Sequence, residues 1–288
     1  MPSEAPSRRS KILQRTRVGG TLVAVLVGLF WLVSLTDNPW LVWGLGALLG
    51  LGATVEAGRM LRGQSPAATG VLMAGLIASL AVSAAHVARH RPTGVDDWLW
   101  TMLAAGLAAG GACLVLGQRD SDPSSRSLRP QRAALLAAWI GPPLPLLAIA
   151  YLELGLGGLI ALVVLSKVGD IAGYYAGNAL GKHHPFPRLS PGKTTEGCTA
   201  SFVFGVLTAG ALAAADVLAL ELLPALLFGA AINLASQAGD LAESALKRST
   251  GVKDSGTWFG PSGGFLDLTD SLLFSVPVGL LALALLGS

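Results

Sequence analysis

Residues 155–180 read GLGGLIALVVLSKVGDIAGYYAGNAL, and two charges stand in the middle of an otherwise apolar run. The run is long enough for a single helix to cross a hydrocarbon core roughly 30 Å thick. Lys167 and Asp170 are three apart and Tyr174 lies four further on, so a helix carries all three on one face. Ionisable groups at such depth are expensive, and they mark either a functional site or a buried pair that locks helix packing. Similar apolar runs recur toward both termini. Windows of about 18 residues or more predict nine spans, at residues 18–36, 38–57, 67–85, 97–117, 133–151, 155–180, 199–218, 222–246 and 264–285. The chain is 52% hydrophobic and 13% charged with a mean hydropathy of +0.61, against roughly 25% charged for a soluble domain. The expected fold is all-α, a polytopic transmembrane helical protein.

Charge sets the expected orientation. With the N-terminus cytosolic, the tail and the loops after the second, fourth, sixth and eighth spans carry 5, 2, 4, 3 and 3 Lys or Arg, against two (Arg89 and Arg91) in the loops on the other side. That is the positive-inside asymmetry, and it places the C-terminus outside. The net charge of +3 is thereby explained by topology rather than by nucleic-acid binding. The basic stretch at residues 1–17 resembles a signal-peptide start, but the apolar run behind it has no small-residue cleavage site and leads into further spans, so an uncleaved first helix is expected. Cys113 and Cys198 are far apart and support neither a disulfide framework nor a zinc site. The expected organisation is a cytosolic tail at 1–17, an N-terminal helical group at 18–117, a cytosolic linker at 118–132, and a C-terminal catalytic transmembrane domain at 133–288 that holds nearly all the polar side chains.

Three segments of that domain carry chemistry. The loop GKHHPFPRLSPGKTTEG, residues 181–197, sets Lys182, Arg188 and Lys193 among glycines and prolines, where lysines and backbone N–H groups can meet phosphate. It lacks the spacing of a Walker A loop, and the adjacent His183 and His184 have no further ligand spacing. GDLAESALKR, residues 239–248, puts Asp240, Glu243, Ser244 and Lys247 along one helical face. SGGFLDLTDS, residues 262–271, places Asp267 and Asp270 three apart behind a glycine pair that can open a helix start toward an anion. Carboxylates from two helix ends can share Mg²⁺, which takes a few carboxylates together with phosphate oxygens and water. Acids alone would suggest a cation path and bases alone an affinity for anionic lipid. Their combination fits metal-assisted phosphoryl or nucleotidyl transfer.

These residues resemble the phosphatidate cytidylyltransferase family, the CDP-diacylglycerol synthases. Ser244, Lys247, Arg248, Lys253, Asp254, Gly263, Gly264, Asp267 and Asp270 fall in register with its C-terminal signature. GDIAGYYAGNALGK, with Gly173 where the family has Ala, RLSPGKTTEG and GDLAES resemble its other conserved segments. The match covers residues 166–275. Ser262 and Leu268 stand where the family has His and Arg. The resemblance implies attack of phosphatidate on CTP in phospholipid biosynthesis, with Mg²⁺ as cofactor. It implies Asp240, Asp267, Lys247 and Lys253 as catalytic residues, and Asp240 and Asp267 with Asp270 as metal ligands. Asp170, Tyr174, Ser190, Lys193, Ser244, Arg248, Asp254, Gly263 and Gly264 would bind substrate. The implied setting is the inner membrane with the site facing the cytosol. Its partners would be CTP, phosphatidate and membrane lipids, with a homodimer left open. Ser262 and Leu268 leave open a CTP-dependent polyprenol or phytol kinase, or a paralogue without activity. A transporter in which Lys167 and Asp170 line an ion path is the non-enzymatic alternative.

Overall fold

The computed structural model describes residues 8–61, 68–89, 130–260 and 263–286. Among them the regular elements are all helices: α1 (Arg8–Thr36), α2 (Pro39–Leu61), α3 (Ala68–Arg89), α4 (Pro130–Ile140), α5 (Leu147–Leu180), α6 (Thr195–Ala214), α7 (Leu222–Ser249), α8 (Phe265–Thr269) and α9 (Leu272–Leu286). Among the described residues seven stretches are long and apolar enough to cross a membrane: Thr16–Thr36, Pro39–Leu61, Thr69–Arg89, Leu147–Leu180, Thr195–Ala214, Leu222–Ser249 and Phe265–Leu283. The chain is an all-α polytopic membrane protein.

The expected spans at 18–36, 38–57, 67–85, 155–180, 199–218, 222–246 and 264–285 each have a counterpart. The span expected at 97–117 lies outside the described residues, as does the linker apart from residues 130–132, which begin α4. The span expected at 133–151 is not one helix. Pro142, Pro143 and Pro145 lack the N–H groups a helix needs, so α4 stops at Ile140 and α5 starts at Leu147. Eleven helical residues rise only about 16 Å, too short to cross. The boundary expected near residue 155 is a kink inside α5, where Gly155 has φ 67° and ψ −174°, a region open essentially to glycine. The last span is likewise divided, at Asp270 and Ser271, into α8 and α9.

Helix association in lipid depends on close packing and interhelical hydrogen bonds, because lipid tails are as apolar as the side chains. Gly169, Gly173 and Gly177 repeat every four residues on α5, Gly181 follows just past its end, and together they bring it against the start of α6. A Cβ on Gly173 would stand 3.1 Å from the Gly197 carbonyl, and one on Gly177 2.9 Å from Thr194 Oγ1. Thr194 caps α6, its hydroxyl accepting from Gly197 N–H at 3.1 Å. Helix α7 packs on α6 through Asn233, whose amide donates to the carbonyl and hydroxyl of Ser201 at 3.0 Å each. Helix α9 packs on α7 and α5, and Ser275 and Ser166 hydroxyls meet at 2.6 Å. Leu162, Leu165, Phe228, Ile232 and Val276 fill the buried core between these hydrogen bonds. Helix α2 packs on α3, α5 and α8, so the N-terminal group touches the C-terminal half.

Candidate active site

Helix α7 and the α8 segment meet along two facing rows. Gly239 fixes one end: its missing Cβ would lie 2.4 Å from the Asp270 carbonyl, which sets Asp240 beside Asp270. Lys247 fixes the other end, with Nζ donating to Asp267 Oδ1 at 2.7 Å and pairing with Glu243 Oε2 at 2.5 Å. The spacing of Asp240, Glu243 and Lys247 thus does present one face, and that face meets the Asp267–Asp270 row.

Helix α5 completes the Asp240 end. Lys167 Nζ donates to Ser271 Oγ at 2.6 Å and stands 3.9 Å from Asp170 and 3.7 Å from Asp270. Lys193 reaches in from the α5–α6 loop to Asp240 Oδ2 at 3.1 Å. Asp170, Asp240 and Asp270 repel one another at close range, and Lys167 and Lys193 offset that repulsion. Ser236 supports Asp170 at 3.4 Å while also donating to the Ser166 carbonyl.

At the other end Asp267 is held on every side. Its Oδ2 accepts from Ser255 N–H at 2.8 Å and from Gly264 N–H at 2.9 Å, with Ser255 Oγ at 2.6 Å. Gly263 has φ +85°, and a Cβ there would fall 2.3 Å from Asp267 Oδ2, so the turn into α8 needs glycine on both counts. The start of α8 is occupied by the chain's own carboxylates: Gly264 N–H goes to Asp267, and Leu266 N–H goes to Glu56 at 2.9 Å.

The basic loop is fastened over this face. Glu196 accepts from Lys182 and His183 N–H groups, and its other oxygen lies 2.7 Å from His183 Nδ1. Arg248 bridges the two loops, donating to the Leu189 carbonyl at 3.4 Å and the Val252 carbonyl at 3.3 Å. Ser190 lies in a turn of the first loop, its carbonyl accepting from Lys193 N–H at 3.1 Å. Lys253 and Asp254 are exposed on the second loop, Ser244 is half-buried on α7, and Tyr174 stacks edge-on with Tyr175 on α5. The structure therefore unites Asp170, Lys193, Asp240, Lys247, Gly263, Gly264, Asp267 and Asp270, and leaves Lys253 and Asp254 at the rim.

Sequence reading missed Glu56 and Ser255 and gave Glu243 no role. Glu56 sits on α2, 2% exposed, and bonds to residues about two hundred positions away. Its only local signal is a carboxylate at the end of an apolar run.

Among the described residues, no three His, Cys, Asp or Glu side chains converge closely enough to hold a cation by themselves. Asp240 Oδ1 and Glu243 Oε1 are nevertheless buried with no hydrogen-bond partner, a state that buried carboxylate oxygens rarely keep. These are hard oxygen donors, and Mg²⁺ completes its shell with phosphate and water, so the residues fit that ion.

A helical membrane fold with carboxylates and lysines interleaved at the ends of packed helices defines a class, polytopic membrane proteins with a mixed acidic and basic site. The model of the cytidylyltransferase family matches residues 13–286, and the chain belongs to that family. It is 41% identical over 111 residues to a phosphatidate cytidylyltransferase of Aquifex aeolicus, which is 38% of this chain and 41% of that protein. With a phosphatidate cytidylyltransferase of Pseudomonas aeruginosa it shares 38% identity over 150 residues, covering 50% of this chain and 52% of the relative. An uncharacterized protein of Escherichia coli K12, YnbB, is 40% identical over 117 residues, 41% of this chain and 39% of that one. The chain thus spans about half the length, or less, of these curated relatives.

Proposed function

We propose that this chain is a phosphatidate cytidylyltransferase, joining CTP to phosphatidate to give CDP-diacylglycerol and pyrophosphate for phospholipid biosynthesis. The observation that carries this reading is the pair of facing rows on α7 and α8, where Lys193 and Lys247 are fixed among carboxylates and two carboxylate oxygens lack partners. Family membership and the names of the relatives support the substrate pair.

In this reaction a phosphatidate oxygen attacks the α-phosphorus of CTP. The bond from that phosphorus to the oxygen bridging to the β-phosphate breaks, and pyrophosphate leaves. Lys193 and Lys247 lie against carboxylates, ready to turn an N–H toward phosphate oxygens, and Arg248 and Lys253 add charge at the rim. Asp170, Tyr174, Ser190, Ser244, Asp254, Gly263 and Gly264 would line the nucleotide and headgroup sites. Asp240 and Asp267, with Asp270 in support, would hold Mg²⁺, which when bound neutralises phosphate charge and makes the phosphorus more electrophilic. Positioning two anions together is the main task, and no covalent intermediate with the protein is needed. Positive-inside asymmetry supports a site facing the cytosol from the inner membrane.

The test is mass analysis of lipids after the purified chain is incubated in detergent with Mg²⁺, phosphatidate and labelled CTP. CDP-diacylglycerol with matching pyrophosphate is expected, and Asp267→Asn abolishes both. A phosphorylated lipid with release of CDP would assign phosphoryl transfer instead. No product, together with no thermal shift on adding CTP and Mg²⁺, would remove the enzymatic reading.

A further inference from the structure

Glu56 is the point at which the N-terminal helices enter the site. Its Oε2 lies 2.8 Å from Ser255 Oγ and accepts from Leu266 N–H at 2.9 Å. The same Ser255 hydroxyl is 2.6 Å from Asp267 Oδ2, and Ser255 N–H donates to that oxygen at 2.8 Å. Gly256 and Gly264 close onto the Glu56 carboxylate so tightly that a Cβ on either would stand 2.3 or 2.2 Å from Oε1. One turn earlier on α2, Gly52 receives the Phe265 ring, where a Cβ would lie 2.3 Å from the ring carbon. A buried carboxylate is costly, and leucine or glutamine would fill the same space with less desolvation. Glu56 instead presents one oxygen to two donors of the segment that holds Asp267.

We infer that Glu56 is a positioning residue for the reaction at Asp267, acting from α2 through Ser255 and the start of α8. Among the described residues Glu56 makes no hydrogen bond or ion pair with Asp267 or Lys247, so its effect passes through the Ser255 hydroxyl and the Leu266 amide. The effect on turnover rests on the cytidylyltransferase reading, while the effect on order at Ser255 and Leu266 does not.

The experiment combines hydrogen exchange of the detergent-solubilised full chain, without substrate, with steady-state kinetics. The variants are Glu56→Ala, Glu56→Gln, Ser255→Ala and the double alanine variant. In Glu56→Ala, peptides covering Ser255 and Leu266–Asp267 exchange faster while those of α6 do not. In the same variant kcat falls about 10- to 100-fold, as for residues that orient a metal ligand, and the KM for CTP changes little. Glu56→Gln keeps an acceptor oxygen for both donors and recovers most of the loss. Residues that act as one unit are non-additive, so the double variant loses less than the product of the two single losses. Unchanged exchange in Glu56→Ala, or fully additive kcat losses, overturns the inference. If Glu56→Ala does not fold, Ser255→Ala must raise exchange and lower kcat while Glu56→Gln does neither. If the wild-type chain forms no CDP-lipid, the reaction assignment falls and the exchange result still decides the positioning.

Discussion

Asp240 has one oxygen bonded to Lys193 and the other buried without a partner. Beyond its pairing with Lys193, a carboxylate left so unsatisfied adds little to the stability of the fold, and the neighbouring Asp170 and Asp270 add repulsion. Asp240→Asn is therefore expected to lower activity by about 10²-fold or more while leaving the thermal midpoint in detergent unchanged or higher. A large fall in midpoint would show that Asp240 serves the fold. Lys247 is the opposite case, since its ammonium is the cation shared by Glu243 and Asp267, whose side chains are 1% and 11% exposed. Lys247→Met leaves both without it and is expected to cost about 3 kcal/mol of stability, read as a lower denaturation midpoint, and Lys247→Arg is expected to restore part of it. The helical spacing of Asp240, Glu243 and Lys247 was legible in the sequence, because residues three and four apart must share a face. That Lys167 also belongs with Asp270 was not, since that contact joins α5 to the far end of the chain.

The seam between α5 and α6 depends on residues with no side chain to pack. At Gly169 a Cβ would fall 2.2 Å from the Asn233 amide nitrogen and 2.7 Å from Ser201 Oγ, whereas at Gly173 the nearest atom is 3.1 Å away. Gly169→Ala is expected to cost about 1–3 kcal/mol through overpacking and loss of the Asn233–Ser201 hydrogen bonds. Gly173→Ala, which installs the residue usual in the resembling family, is expected to cost less than about 1 kcal/mol. Thermal midpoints of the two variants, measured side by side, check the ranking. Helix identity was readable from apolar run length, but helix continuity was not read correctly. The residues around 142–145 are apolar enough to sit in a span, and hydropathy outweighed the three prolines that divide α4 from α5. The kink at Gly155 lies where a boundary was expected: one residue with positive φ and extended ψ interrupts the helical backbone there.

At the scale of the whole molecule, the loop before α6 and the loop after α7 lie at the same end, both bonded to Arg248 of α7 through the Leu189 and Val252 carbonyls. The charge asymmetry predicts that both face the cytosol. With Cys113 and Cys198 replaced by alanine, a single cysteine introduced at His184 or Thr257 is expected to react with a membrane-impermeant maleimide in inverted vesicles and not in intact cells. Labelling in intact cells would reverse the orientation. The C-terminal location of most of the site was legible, because intramembrane charge is rare and concentrates there. The contribution of α2 was not, since Glu56 has a meaning only once the chain has folded back on itself. The length of α5 has one more consequence. Asp170 lies ten residues before the end of that helix, about 15 Å along its axis, while the headgroup layer on each side of the hydrocarbon is roughly 5–8 Å thick. Under the proposed reaction a lipid can approach sideways at its own depth with its chains still among their neighbours, while the nucleotide descends from water. The two substrates then come by separate doors, and neither has to leave its own phase before they meet.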